Sequence, residues 1–285
     1  MIDSLRNLKL RIKSVENTKK ITRAMEMVSA SKLNRVRNAL FLERPYFEKL
    51  ESMTLRLLAG SEAAKHPFLE KRTASGKIVL CVITSDAGLC SVYNYALIRA
   101  AENFINSMAG RKVALVTVGR EGFNYFRKLD FPIIKTYAEL YGRYSDKAAQ
   151  ELYADLTGLF LNQQADEIYI AYTHFASTLR LKPAVIKFLN MEYPQNEKME
   201  YIIEPDLDSL ISQIVPAYLA EKIRLILLDT FTSEHASRMI AMKMATDNAR
   251  DLIDSLTLLR NKARQASITK EILEVVMSAE ALKGQ

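Results

Sequence analysis

Apolar residues recur at three- and four-residue steps at both ends of this chain. Toward the C-terminus the stripe runs Ala249, Leu252, Leu256, Leu259, Ala263 and Ala266, and after one skip near Thr269 continues through Ile272, Val275, Ala279 and Leu282. That spacing is the seam of a coiled-coil helix. Leu5, Leu8, Ile12, Val15, Ile21, Met25, Val28, Val36 and Leu40 follow the same rule near the N-terminus, with wider gaps. Neither segment is punctuated: Met1 to Arg44 and Ala217 to Lys283 contain no glycine and no proline. At about 1.5 Å per residue the second stretch alone would extend about 100 Å. No domain built from this chain could bury it, so it must protrude, wind around the N-terminal helix or be sheathed by other proteins. Ala24, Ser29, Ala30, Ala236, Ala241 and Ala245 are small enough to let two helix backbones approach closely. Because the two segments stand at opposite ends of the chain, an antiparallel pair is predicted.

The middle follows another period. Lys77 to Thr84, Lys112 to Val118, Pro132 to Tyr137 and Glu167 to Thr173 are short runs rich in Val and Ile, bounded by turn residues, and they read as strands. Tyr93 to Met108, Glu121 to Leu129 and Asp146 to Leu161 are amphipathic and lie between them. Strand and helix in alternation predict an α/β domain of Rossmann-like character with a mainly parallel sheet. Pro183 to Leu189 and Tyr201 to Ile203 are further extended pieces. The resulting division is an N-terminal coiled-coil helix over 1–58, a linker over 59–76, a central α/β domain over 77–206 and a C-terminal coiled-coil helix over 207–285.

Composition adds charge to this picture. The formal charge is +7, and residues 1 to 44 hold eleven Lys or Arg against four acids, a surplus equal to the whole. Such a helix can be read as a solvated face, as a contact for nucleic acid or membrane, or as a contact for acidic protein loops. No run is long and apolar enough for a membrane span, and no secretory leader is expected at the N-terminus. Cys81 and Cys90 have neither redox nor zinc spacing and read as reduced packing residues.

A doubly wound domain raises the question of a nucleotide, but the parts are missing. There is no GxxxxGK[ST] loop and no GxGxxG turn; after the first strand the chain reads Ser85-Asp86-Ala87-Gly88-Leu89-Cys90. One glycine does not cradle a pyrophosphate, and a structural turn is the simpler reading. His66, His174 and His235 lie far apart without metal spacing, His235 being expected as a packing or surface residue of the long helix. No GxSxG elbow is present, so no enzyme site, cofactor or metal is expected.

Five segments together resemble one family. SVENTKKITRAMEMVSASKL (Ser14 to Leu33), SDAGLC (Ser85 to Cys90), YIIEPD (Tyr201 to Asp206), SEHASRMIAMKMATDNA (Ser233 to Ala249) and NKARQASITKEILEVV (Asn261 to Val276) are similar, in order and along the whole chain, to the gamma subunit of F-type ATP synthases. The resemblance implies a non-catalytic rotor shaft. Its paired terminal helices would turn inside a ring of three alpha and three beta subunits, and its α/β domain would meet the epsilon subunit and the membrane c-ring. Rotation would couple proton or sodium flow to ATP synthesis or hydrolysis on the beta subunits. It also implies a peripheral location on the cytoplasmic face of a bacterial inner membrane, with no nucleotide bound directly.

Carried residue by residue, the resemblance implies that Arg264, Gln265 and Thr269 hydrogen-bond a beta-subunit loop; alone, each would read as helix surface. Met25, flanked by Lys20 and Arg23, would face the acidic lever of the beta subunit, or pack in the seam. Arg238 would lie near the ring. Tyr201 and Glu204 would approach the c-ring and epsilon, although an edge strand with its turn would look the same. This chain carries Ser91 and Val92 where family members commonly show glycine after the GLC turn, and Arg260 where a tyrosine is common. Without a cysteine beyond Cys90, the thiol control of the chloroplast type is not expected, and the immediate helical start argues against an unprocessed organellar transit peptide. The rival readings are a basic coiled-coil protein that binds nucleic acid and a stand-alone enzyme with a degenerate nucleotide domain.

Overall fold

The computed structural model describes residues 5–59, 66–70, 72, 76–193 and 206–283. Helix α1 spans Leu5–Ala59 and helix α5 spans Leu207–Lys283. Each carries a proline inside it, Pro45 and Pro216, where the missing N–H leaves a carbonyl four residues earlier unbonded. Those carbonyls belong to Phe41 and Ser212, both exposed, so water can satisfy them and the helices continue.

Between the long helices lie β1 (Lys77–Ile83), α2 (Tyr93–Ser107), β2 (Lys112–Val118), α3 (Arg120–Arg127), β3 (Ile133–Tyr137), α4 (Asp146–Leu161), β4 (Glu167–Ser177) and β5 (Arg180–Leu189), preceded by a short 3-10 turn at Pro67–Leu69. The sheet order is β3-β2-β1-β4-β5. Its first four strands are parallel, and β5 returns antiparallel to β4 as a hairpin. β1 is central, with Leu80 opposite Leu115 on one side and Tyr169 on the other. Leu80, Val82, Leu97, Ile98, Ala101, Leu115, Phe126 and Ala171 form the core beneath α2 and α3. The alternation of strand and helix therefore gives the mainly parallel sheet expected of it. The extended piece at Tyr201 to Ile203 falls outside the described residues.

The chain separates into two compact units. One comprises residues 1–28 and 239–285, the other 29–238. In the first, α1 and α5 bury Leu8, Ile12 and Leu256 together, with Val15, Ile253 and Ala263 partly buried against them. Each fully buried Leu or Ile contributes about 2 kcal/mol by removal of apolar surface from water. The register differs from the one expected. Ile21, Val28, Leu252 and Leu259, expected in the seam, are exposed, while Thr22 and Thr246 are buried and Ile253 half-buried; Leu8, Ile12, Ala249 and Leu256 are buried as expected. Along α1 itself, buried or half-buried positions run Leu8, Ile12, Val15, Lys19, Thr22, Glu26, Ser29, Leu33, Val36 and Leu40, an unbroken alternation of four- and three-residue steps. Polar residues occupy four of its central positions, so an apolar-only search slips by one residue there. The slip is costless to the pattern because Ile21 and Val28 precede Thr22 and Ser29. Inside the seam the Thr246 hydroxyl donates to the Thr22 hydroxyl at 2.9 Å, and each also sits within reach of a carbonyl on its own helix, Met242 at 2.8 Å and Lys19 at 3.1 Å.

Candidate functional site

Two surfaces and one buried turn carry the polar residues of interest. In the first unit, Lys20 and Arg23 line a groove of about 590 Å³ together with Glu16, Lys19, Thr246, Arg250 and Ile253. Arg23 is tied to Glu26 at 2.8 Å, and Met25 is half-buried. Arg250 lies 3.5 Å from Asp247, so with Arg23 also paired and Glu16 on the rim, Lys19 and Lys20 leave only a weak positive surplus there.

Further along α5, Arg264, Gln265 and Thr269 are all exposed. The Thr269 hydroxyl returns to the Gln265 carbonyl at 3.0 Å, which satisfies it on its own helix. Beside them Ile268, Ile272, Leu273, Val275, Val276 and Met277 are also exposed, and every residue from Ile268 to Glu280 is solvent-facing. An apolar helix that finds no cover among the described residues marks a surface suited to contact with another molecule.

The buried turn is in the second unit, where every residue of α5 from Ile226 to Arg238 is buried. A helix buried all round is enclosed by its domain. Polar side chains of this stretch reach a different neighbour each. Asp229 accepts from Arg44 of α1 at 2.8 Å and lies 2.7 Å from the His174 ring on β4. Ser233 donates to the Thr173 carbonyl at 3.1 Å. Arg238 bonds Glu234 at 2.7 Å and the Ala87 carbonyl at 2.9 Å, and Ser237 donates to the Cys90 carbonyl at 2.7 Å. Arg238, which the resemblance puts near the ring, is buried in its own unit, its guanidinium committed to Glu234 and the Ala87 carbonyl.

His235 lies 2.9 Å from the Gly142 carbonyl through Nε2. A carbonyl only accepts, so Nε2 carries the proton. Gly142 has φ +65, and a Cβ there would come within 2.6 Å of the imidazole, so glycine is required on both counts. Burial, followed by the proximity of Arg238 and Lys32, lowers the His235 pKa to about 4 against the opposing hydrogen bond to Gly142. Burial likewise raises the Glu234 carboxyl, with Arg238 acting against it.

The turn after β1 is the other half of this arrangement. Asp86 accepts backbone N–H groups from Arg120 at 3.2 Å, Glu139 at 3.0 Å and Tyr141 at 2.7 Å, clasping two loops to each other. Leu89 and Ser91 adopt positive φ of 59 and 53, the left-handed conformation that glycine takes without steric cost. In a sheet of this order the strand sequence reverses beside β1, and the crevice at the C-terminal ends of β1 and β4 is where doubly wound folds hold ligands. Here Ser233, Ser237 and Arg238 of α5 fill it. Cys81 and Cys90 are free and buried, and burial pushes the Cys81 thiol up to about 12. Among the described residues no group of His, Cys, Asp and Glu is disposed to hold a metal ion, and no helix is long and apolar enough to cross a membrane.

Comparison with known proteins then decides the family. The sequence profile described as ATP synthase matches residues 4–282. The ATP synthase gamma chain of Pelotomaculum thermopropionicum is 38% identical over 284 residues, covering 98% of this chain and 99% of the relative. This chain belongs to the ATP synthase gamma chain family. The gamma chain of Moorella thermoacetica is 39% identical over 281 residues, again covering 98% of this chain and 99% of the relative. Among solved structures, a chain of the Euglena gracilis mitochondrial ATP synthase, an OSCP/F1/c-ring assembly, superposes with a TM-score of 0.69 at 15% identity, covering 98% of this chain and 94% of that one. At that identity the likeness speaks for the fold. Tyr201 and Glu204, expected at the c-ring and epsilon side, lie outside the described residues. The buried turn was missed by sequence reasoning, although the run Thr230 to Arg238, polar in most positions inside a helix, was its signal.

Proposed function

We infer that this gamma chain works as the rotor of its ATP synthase through two exposed surfaces of its paired helices. It is the non-catalytic central-stalk subunit; catalysis is in the beta subunits, and its partners are the alpha and beta subunits, epsilon and the c-ring. The observation that carries the surface assignment is the α5 segment Ile268 to Glu280, exposed on every side and rich in large apolar residues. Enclosure by a ring of other subunits gives that surface its cover.

Arg264, Gln265 and Thr269 supply polar contacts to the beta subunits just before this apolar end, the Arg264 fork being suited to a carboxylate. Lys20, Arg23 and Met25 form the second contact, where a weakly positive groove attracts acidic loops of successive beta subunits. Tyr201 and Glu204 are assigned to the c-ring and epsilon side. Since a pair of unlike helices has no threefold symmetry, each orientation meets the three beta subunits differently and biases their nucleotide affinities by differential contact. Proton or sodium flow through the c-ring drives the rotation, at the cytoplasmic face of a bacterial inner membrane. Family membership sets aside a nucleic-acid role for the basic helix. The test is substitution of Arg264 and Gln265 by alanine in the assembled complex: ATP hydrolysis coupled to rotation should fall while the complex still forms. Unchanged turnover and rotation would remove these residues from the contact.

A further inference from the structure

We propose that the α5 turn Ser233 to Arg238 is a torsional key, whose side chains act as positioning residues that fix the rotational setting of α5 within the α/β domain. The inference rests on the rotor reading above. α5 must carry torque along its axis, and it is one continuous helix from Leu207 to Lys283. Where it is enclosed, apolar packing alone would hold it against pulling and tilting, but such packing has no direction and yields to rotation. Hydrogen bonds have direction. Four leave this turn for the surrounding domain: Ser233 to the Thr173 carbonyl, His235 to the Gly142 carbonyl, Ser237 to the Cys90 carbonyl and Arg238 to the Ala87 carbonyl, at 3.1, 2.9, 2.7 and 2.9 Å. They end on three separate segments, so no single loop movement releases them all. With side-chain tips ~5 Å from the helix axis, a twist of about 20° would carry each by about 1.7 Å, stretching and bending the bonds well away from their preferred geometry.

Stability alone does not account for so polar a turn. Glu234 and Arg238 are buried at 2% and 8% exposure, and the Glu234 Oε2 and His235 Nδ1 atoms have no hydrogen-bond partner among the described residues. A buried ion pair is often matched or bettered in stability by apolar residues of the same volume. What the polar turn adds is resistance to rotation. The receiving side is itself braced, since Asp86 ties the loop carrying Ala87 to the loop that leads to Gly142.

The test uses the complete complex in vesicles, with Glu234→Gln/Ser237→Ala/Arg238→Met, which removes two of the four bonds without leaving an unpaired charge. With the ring held still by nucleotide, the angular variance of a probe on the α/β domain should roughly double, because stiffness from directional bonds is halved. Ser237→Ala alone, a small change that keeps the ion pair, should raise it by about a third. Ions pumped per ATP hydrolysed should fall against an opposing gradient while hydrolysis stays near its original rate, and Arg238→Lys should restore part of the loss. Assembled variants whose variance and pumping ratio equal those of the unmodified complex would overturn the key. If the triple variant does not assemble, the Ser237→Ala result decides alone. An unmodified chain that assembles but never rotates would instead remove the rotor reading beneath it.

Discussion

Protonating His235 should loosen the second unit, and the size of the effect follows from its surroundings. The ring is 1% exposed, its Nε2–H is spent on Gly142, and its Nδ1 has no partner among the described residues. A second proton would place a charge in this buried site, and secondarily beside Arg238 and Lys32, so the pKa falls from 6.5 to about 4. The folded pKa lies below the unfolded one, so unfolding takes up a proton. The contribution to stability is complete above about pH 6.5 and is lost as pH falls through about 4. Linkage over that interval puts the loss between pH 7 and pH 5 at ~2 kcal/mol, approaching ~3 kcal/mol below pH 4. Glu234 pulls the other way, because a raised carboxyl pKa favours the fold as pH falls. Comparison with His235→Gln separates the two, since glutamine keeps an N–H for Gly142 and does not titrate. Urea unfolding of the full chain at pH 7 and pH 5 is the assay. The unmodified chain should lose ~2 kcal/mol more than the variant between those values. Parallel losses in both proteins would refute the assignment of a neutral, buried imidazole.

Further tests address register, turn strain and surface. Leu256→Ala should destabilise the chain by about 2–5 kcal/mol in chemical denaturation, whereas Leu259→Ala should stay within about 0.5 kcal/mol, because only Leu256 is in the seam. Equal costs would restore the register expected from the apolar stripe. Thr22→Cys paired with Thr246→Cys should form a disulfide on mild oxidation, visible as a shift in non-reducing electrophoresis, since the two hydroxyls meet at 2.9 Å; absence of any bridge would contradict the antiparallel pairing. Ser91→Gly should raise the unfolding midpoint by the equivalent of ~0.5–1 kcal/mol, since a serine at φ 53 pays a left-handed penalty that glycine escapes.

The legible parts of this molecule were those with a strong period. Strands such as Lys77–Ile83 alternate with helices and are bounded by turn residues, so their order implied the parallel sheet. The long helices were legible from the absence of glycine and proline, even though Pro45 and Pro216 sit inside them on positions where water can replace the missing bond. The seam register was not. Lys19, Thr22, Glu26 and Ser29 fill buried or half-buried positions that an apolar template assigns to their neighbours, and only the opposing helix distinguishes a buried threonine from an exposed isoleucine. Arg238 illustrates the same difficulty at the site: nothing local shows that it is buried, because the loop it bonds lies about 150 residues away in sequence. Arg264 and Gln265 read alone as helix surface, and both are exposed among the described residues; the contact proposed for them depends on other chains.

The most direct measurement is rotation itself. Cys81 and Cys90 are both buried, so a cysteine introduced at Leu179, 87% exposed at the β4–β5 turn, would accept a single probe. With the chain assembled into an alpha–beta ring fixed to a surface, addition of ATP should turn the probe stepwise in one direction. ATP hydrolysis by that same assembly with the probe stationary would contradict the account.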